Sequence, residues 1–263
     1  MQGSELSALD RGFNYGDGFF TTMLVKKSEV ELWDYHQQRL LNAQRVLKFP
    51  EIDLESLLEQ VKLKVAGRQI CVAKVVVSRG QGGRGYAPPK VVTPTILIST
   101  ADYPKAYNDL QKNGLRVGSA TQRLSYGGLY SSVKTLNRLE QVMLKIEAEE
   151  RGFDDLVCLD INDHVVEGVA SNLFWVKGNY IYTSDLGGAG VAGVQRQFLL
   201  NSIQHSPYQL KLGTFSLSDL LGADEIFMSN SIIQFAPVKQ FDERKFNQFP
   251  VCRWFQDLVN NVS

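Results

Sequence analysis

Ser131-Ser132-Val133-Lys134-Thr135-Leu136-Asn137-Arg138-Leu139-Glu140 sets a lysine between a segment of small residues and an apolar periodicity. Leu136, Leu139, Val142, Met143 and Ile146 recur at helical spacing, and Gly152 closes the run, so a helix is expected directly after the lysine. Upstream, Ser125-Tyr126-Gly127-Gly128-Leu129-Tyr130 is a loop by composition. A lysine at such a junction is either a solvated charge at a helix entry or a nucleophilic amine held at a site.

Two later segments bear on that choice. Apolar runs at residues 156–161 and 164–167 flank Asn162-Asp163 and read as a hairpin, which Glu167 ends before Gly168-Val169-Ala170-Ser171-Asn172-Leu173-Phe174-Trp175. A carboxylate there either caps a turn or serves a site. Gly190-Val191-Ala192-Gly193-Val194-Gln195-Arg196 then opens a helix straight from a glycine loop, which is either a tight turn or a set of unpaired amides aimed at an anion. An amine, a carboxylate and a phosphate cradle together are what pyridoxal 5′-phosphate requires: Schiff-base formation, a partner for the pyridine nitrogen, and an anchor.

The rest of the chain supplies a frame for this chemistry. Asp34 is expected to cap a helix carrying Leu40, Ala43, Val46 and Leu47, and Asp53 a second carrying Leu54, Leu57, Leu58, Val61 and Val65. Residues 70–78 and 95–99 read as strands. Residues 100–113 lose their period and are expected to connect two domains, 1–106 and 107–263, the lysine lying in the larger. In that larger part, strands are expected at 115–120, 173–176, 180–183 and 225–228, with helices at 195–202 and around 254–258, which makes an α+β chain with a mainly antiparallel, barrel-like sheet.

Lysines and arginines (28) balance aspartates and glutamates (28), so no general field draws the molecule to nucleic acid or an anionic membrane. No apolar run is long enough to span a membrane, and Met1-Gln2-Gly3-Ser4-Glu5 lacks leader features, so a cytoplasmic location is expected. Cys71, Cys158 and Cys252 are too far apart for a metal motif and odd in number, hence expected as buried thiols. His36, His164 and His205 form no ligand motif, so no metal is expected.

In order and spacing, the Lys134 segment, residues 167–175 and Gly193-Val194-Gln195-Arg196 resemble the fold-type IV pyridoxal-phosphate enzymes. These comprise branched-chain aminotransferases, D-amino-acid aminotransferases and 4-amino-4-deoxychorismate lyases. The resemblance runs from about Leu9 to Val238 and includes Leu9-Asp10-Arg11-Gly12-Phe13-Asn14-Tyr15-Gly16-Asp17-Gly18 and His36-Gln37-Gln38-Arg39-Leu40. It implies a small α/β sandwich domain beside a larger cofactor domain, with a shortened first strand. It also implies Lys134 as the catalytic Schiff-base lysine, Glu167 on the pyridine nitrogen, and Arg39, the Val194 and Gln195 amides and the Ser231 hydroxyl on the phosphate.

Three features are similar to the lyases within this family: residues 134–142, with Arg138 where branched-chain aminotransferases carry tyrosine; Gly16-Asp17-Gly18-Phe19-Phe20-Thr21-Thr22; and Ser78-Arg79-Gly80-Gln81-Gly82-Gly83-Arg84-Gly85-Tyr86. The implied substrate, 4-amino-4-deoxychorismate, carries two carboxylates, which arginine forks bind in pairs, so Arg79, Arg84, Tyr86 and Arg138 are its expected contacts. Products would be 4-aminobenzoate and pyruvate, on the route to folate. A D-amino-acid or branched-chain aminotransferase, or a non-catalytic pyridoxal-phosphate protein, would share the frame. The resemblance also implies a homodimer, with Arg84 serving its own or the partner's site.

Overall fold

The structure, a computed structural model, describes residues 6–262 and divides into two compact units. The expectation at Met1 to Glu5 lies outside the described residues. One unit takes the chain up to Tyr103 together with Val133–Arg138, and the other takes Pro104–Ser132 with the chain from Leu139 onward. Lys134, expected with the larger part, therefore packs in the first unit.

The first unit contains α1 (Arg11–Tyr15), β1 (Gly18–Lys26), β2 (Glu29–Val30), α2 (Trp33–Val46), α3 (Leu54–Val65), β3 (Ile70–Ser78) and β4 (Thr95–Asp102). Its sheet runs β2-β1-β3-β4, antiparallel throughout, with Gly18 opposite Ser78 and Lys26 opposite Ile70. Alternation sends Met23, Val25, Ala73, Val75 and Val77 to one core with Leu40 of α2 and Leu57 and Val61 of α3. Asp53 caps α3 through Ser56 N, a contact worth about 1 kcal/mol. Asp34 does not cap α2; it lies in the first turn, after Leu32 in a left-handed conformation.

The second unit contains α4 (Ala106–Asn113), β5 (Leu115–Leu124), α5 (Leu139–Glu150), β6 (Asp155–Asp160), β7 (Val165–Gly168), β8 (Asn172–Lys177), β9 (Tyr180–Ser184), α6 (Val194–Ser202), β10 (Gln209–Gly213), α7 (Leu217–Leu221), β11 (Glu225–Asn230), β12 (Gln234–Phe241), β13 (Arg244–Lys245) and α8 (Pro250–Val262). The expected connection at 100–113 is thus the end of β4 followed by α4. The sheet runs β10-β9-β8-β11-β12-β5-β6-β7, with β13 beside β12. It is a mixed sheet: β10-β9, β12-β5 and β5-β6 are parallel, and the β6-β7 and β8-β9 hairpins are antiparallel.

Helix α5 starts at Leu139, so Leu136, expected within it, is not part of it, and the residues it buries are Leu144 and Ala148. Leu139, Val142, Met143 and Ile146 are exposed, leaving an apolar stripe on its outer face. Cys71, Cys158 and Cys252 are free, buried thiols. Among the described residues no helix is long and apolar enough to cross a membrane, and no cluster could hold a metal.

Glu225, on β11, accepts hydrogen bonds from Val251 N at 3.0 Å and Cys252 N at 2.7 Å, fastening the first turn of α8 to the sheet. Burial outweighs these bonds and raises its carboxyl from 4.5 to about 7. The folded chain therefore holds this proton more tightly than the unfolded chain. The group's contribution is largest below pH 4.5 and diminishes up to about pH 7, by on the order of 3 kcal/mol in all. In Glu225→Gln, one amide keeps an acceptor and the titration is gone. Urea unfolding from pH 5 to 8 should show wild-type stability falling relative to the variant, and a constant difference across that range would refute the titration.

Candidate active site

The lysine belongs to an extended segment beside β1. Lys134 O accepts from Phe20 N at 3.0 Å, Leu136 N donates to Gly18 O at 3.0 Å, and Phe19 and Thr135 pair as an antiparallel bridge. These bonds fix the backbone on both sides of the lysine, and its Nζ stands 4.9 Å from the centre of the Phe20 ring. Asn137 Nδ2 donates to Gly16 O, and Arg138 Nη2 donates to Thr135 Oγ1 at 2.9 Å. Arg138, expected on substrate, also braces the lysine segment through this bond. Preceding it, Ser132 takes a left-handed backbone (φ 72°), uncommon for a residue with a Cβ.

Arg39 is half-buried on α2, one turn beyond buried His36. His36 Nδ1 lies 2.6 Å from Thr21 Oγ1, and burial, then the charge of Arg39, hold the imidazole well below its ordinary pKa. The histidine is neutral at pH 7, and the cation of this turn is Arg39.

The arginines of the glycine-rich loop divide. Arg79 donates from Nε to Asp17, from Nη1 to Lys48 O and from Nη2 to Leu47 O, and its guanidinium lies over the Phe49 ring at 4.2 Å. Expected on a substrate carboxylate, Arg79 instead ties the end of α2 to Asp17. Arg84 and Tyr86 are exposed on a tight turn closed by reciprocal backbone bonds between Arg84 and Ala87.

In the second unit, Glu167 is 5% exposed on β7. Its Oε2 accepts from Val191 N at 2.9 Å and from Asn172 Nδ2 at 3.1 Å, and Asn172 Nδ2 also donates to Val191 O at 2.9 Å. A Cβ on Gly193 would lie 1.9 Å from Asn172 Oδ1, so the close approach requires glycine. Behind Glu167, buried Asp155 accepts from Ser171 Oγ and Val169 N and fixes the turn between β7 and β8. Burial raises its carboxyl, and these bonds oppose the rise.

Gly193 caps α6 without a side-chain hydrogen bond, leaving the amides of Val194 and Gln195 at an N-terminus that favours an anion. Gln195 Nε2, Arg196 Nε and Ser229 Oγ are buried and have no hydrogen-bond partner among the described residues. Burial lowers the Arg196 guanidinium, while Glu167 and Asp185 act the other way. Ser231 is half-buried in the turn from β11 to β12. Asn172, Ser229 and Arg11 received no role from the sequence. Only the motifs that enclose them pointed toward them.

Residues 18–241 match the family described as amino-transferase class IV. The chain belongs to this family. It is 36% identical over 256 residues to the aminodeoxychorismate lyase of Vibrio harveyi, covering 97% of this chain and 94% of that one. The 4-amino-4-deoxychorismate lyase of Pseudomonas aeruginosa superimposes with a TM-score of 0.92 at 36% identity, over 98% of this chain and 96% of the other. A D-alanine aminotransferase from Bacillus licheniformis is 27% identical over 238 residues, 89% of this chain and 82% of that protein. The family's fold is the one described above: α and β elements with a mixed, curled half-barrel sheet.

The donor set suits pyridoxal phosphate. Uncapped helix amides and the buried donor Gln195 Nε2 are what a phosphate needs, and a buried carboxylate held by two donors is what a pyridinium needs.

Proposed function

We propose that the chain is a pyridoxal-phosphate-dependent lyase that converts 4-amino-4-deoxychorismate to 4-aminobenzoate and pyruvate, a step of folate formation. The observation that carries this reading is the 36% identity to an aminodeoxychorismate lyase along nearly the whole of both chains. When bound, the cofactor supplies covalent attachment for the substrate amine and a sink for electrons.

The remaining work falls to the protein. Lys134 Nζ would hold the cofactor, and its free amine would take the proton from the amine-bearing ring carbon. It then gives a proton to the departing enolpyruvyl oxygen, so that pyruvate leaves and the ring becomes aromatic. Glu167 keeps the pyridine nitrogen protonated. Arg39, the Val194 and Gln195 amides and the Ser231 hydroxyl hold the phosphate. Arg84, Tyr86 and Arg138 take the substrate carboxylates; Arg79 is left out of that set because its Nε, Nη1 and Nη2 donate to Asp17, Lys48 O and Leu47 O.

Incubation with enzymatically prepared aminodeoxychorismate should release 4-aminobenzoate and pyruvate in equal amounts, while D-alanine with 2-oxoglutarate should be turned over far more slowly. The reverse preference would make the protein an aminotransferase.

The same proposal includes a homodimer in the cytoplasm. Supporting the dimer is the exposed stripe of Leu139, Val142, Met143 and Ile146 on α5, an apolar row of the kind that marks an interface. Supporting the location are the three free thiols. The double variant Val142→Asp, Ile146→Asp should shift light-scattering mass from twice the chain mass to one. A monomeric wild type would refute the dimer.

A further inference from the structure

The first unit contains an arginine that neither the fold nor the chemistry above uses. Arg11, in α1, is 4% exposed, and its guanidinium is surrounded by the loop that carries Arg84 and Tyr86. Nη1 donates to Gly85 O at 3.0 Å, Ala87 O at 3.3 Å and Gly82 O at 3.4 Å; Nη2 donates to Tyr86 O at 3.1 Å. Four carbonyls of one loop thus converge on one side chain. Nε is anchored to Asp17 Oδ2 at 2.9 Å, and Asp17 is in turn held by Arg79. The Arg11 backbone is fixed as well, its N donating to Gly80 O at 2.8 Å.

The loop is built to present those carbonyls. Gly83 adopts φ 79°, and a Cβ there would come within 2.1 Å of Ala87 O, so the turn that aims the carbonyls inward excludes other residues. Tyr86 is held a second way: the Arg11 guanidinium lies 5.0 Å over the Tyr15 ring, and Tyr15 meets the Tyr86 ring edge-on at 5.6 Å. The tyrosine is nevertheless 88% exposed, so its ring is placed by these contacts while its face stays open.

We propose that Arg11 is a positioning residue for substrate recognition: it fixes the Gly82–Ala87 backbone so that Arg84 and Tyr86 are set in place before substrate arrives. This rests on the reading that these two residues contact the substrate. A planar fork with several N–H groups can satisfy this many acceptors in different directions, whereas the single ammonium of lysine cannot. An unheld loop would have to be ordered by the substrate itself, which weakens binding without changing the chemical step.

Arg11→Lys in the holoenzyme tests this, with Arg84→Ala alongside. The expected result for Arg11→Lys is faster amide hydrogen exchange confined to residues 80–87, a KM for aminodeoxychorismate raised about tenfold, kcat within about twofold of wild type, and unchanged visible absorbance of the bound cofactor. Unchanged exchange in the loop would overturn the proposal. So would faster exchange with an unchanged KM, provided Arg84→Ala raises KM. If Arg84→Ala itself leaves KM unchanged, the assignment of this loop to substrate fails, and the positioning role fails with it. Should Arg11→Lys not fold, Tyr15→Leu removes the second tether alone and should give a smaller rise in KM of the same kind.

Discussion

Lys134→Ala is expected to lower formation of 4-aminobenzoate by about 10⁴-fold, the upper range for losing a placed acid-base group. The proposed lysine has three tasks: holding the cofactor covalently, removing the ring proton, and protonating the leaving oxygen. Its backbone is fixed to β1 at Phe20 and Gly18, which holds the amine in one place for all three. Borohydride should fix the cofactor to the wild type and not to the variant. The melting temperature should change little, since the side chain is only half-buried and its backbone bonds persist. A variant that still releases pyruvate at the wild-type rate would remove Lys134 from the mechanism.

Glu167→Gln should lower kcat by about 10²–10³-fold, the loss typical of one electrostatic partner at a developing charge. The amide oxygen of glutamine can still accept from Val191 N and Asn172 Nδ2, the two bonds that Oε2 now makes. The turn should therefore survive while the negative charge proposed to serve the pyridine nitrogen disappears. Single-turnover measurements should place the loss in the proton-abstraction step, with cofactor affinity falling much less. An equal loss in affinity and no loss in the chemical step would make Glu167 a structural carboxylate.

Strand β3 was legible to the residue at both ends, because a β-branched run bounded by turn residues has few other places to go. Strand β12 was not: Pro237 interrupts a strand-like pattern, and the strand tolerates it beside an irregular register at Val238 and Gln240. Residues 106–113 looked like a polar connector because α4 buries no residue fully. The stripe on α5 was legible as apolar, but its exposure was not, since periodicity identifies a face and does not say what covers it.

For the site, the types and order of Lys134, Glu167 and the loop before α6 were visible, but pairings over long sequence separations were not. Arg79 looked like a carboxylate receptor because its own carboxylate, Asp17, comes from the opening motif. Asn172 was invisible as a link because neither Glu167 nor Val191 reveals in sequence that one amide bonds to both.

That amide has an evolutionary consequence. Asn172 touches the carboxylate of Glu167, the carbonyl of Val191 and the bare α-carbon side of Gly193. Under the proposed roles, it spans the grips on opposite ends of one cofactor, so those grips form a gauge of fixed length rather than two adjustable clamps. Drift at Gly193 would move Asn172 and, through it, Glu167. These three positions should therefore be inherited as a single unit, leaving specificity to diversify on the arginine-bearing loop.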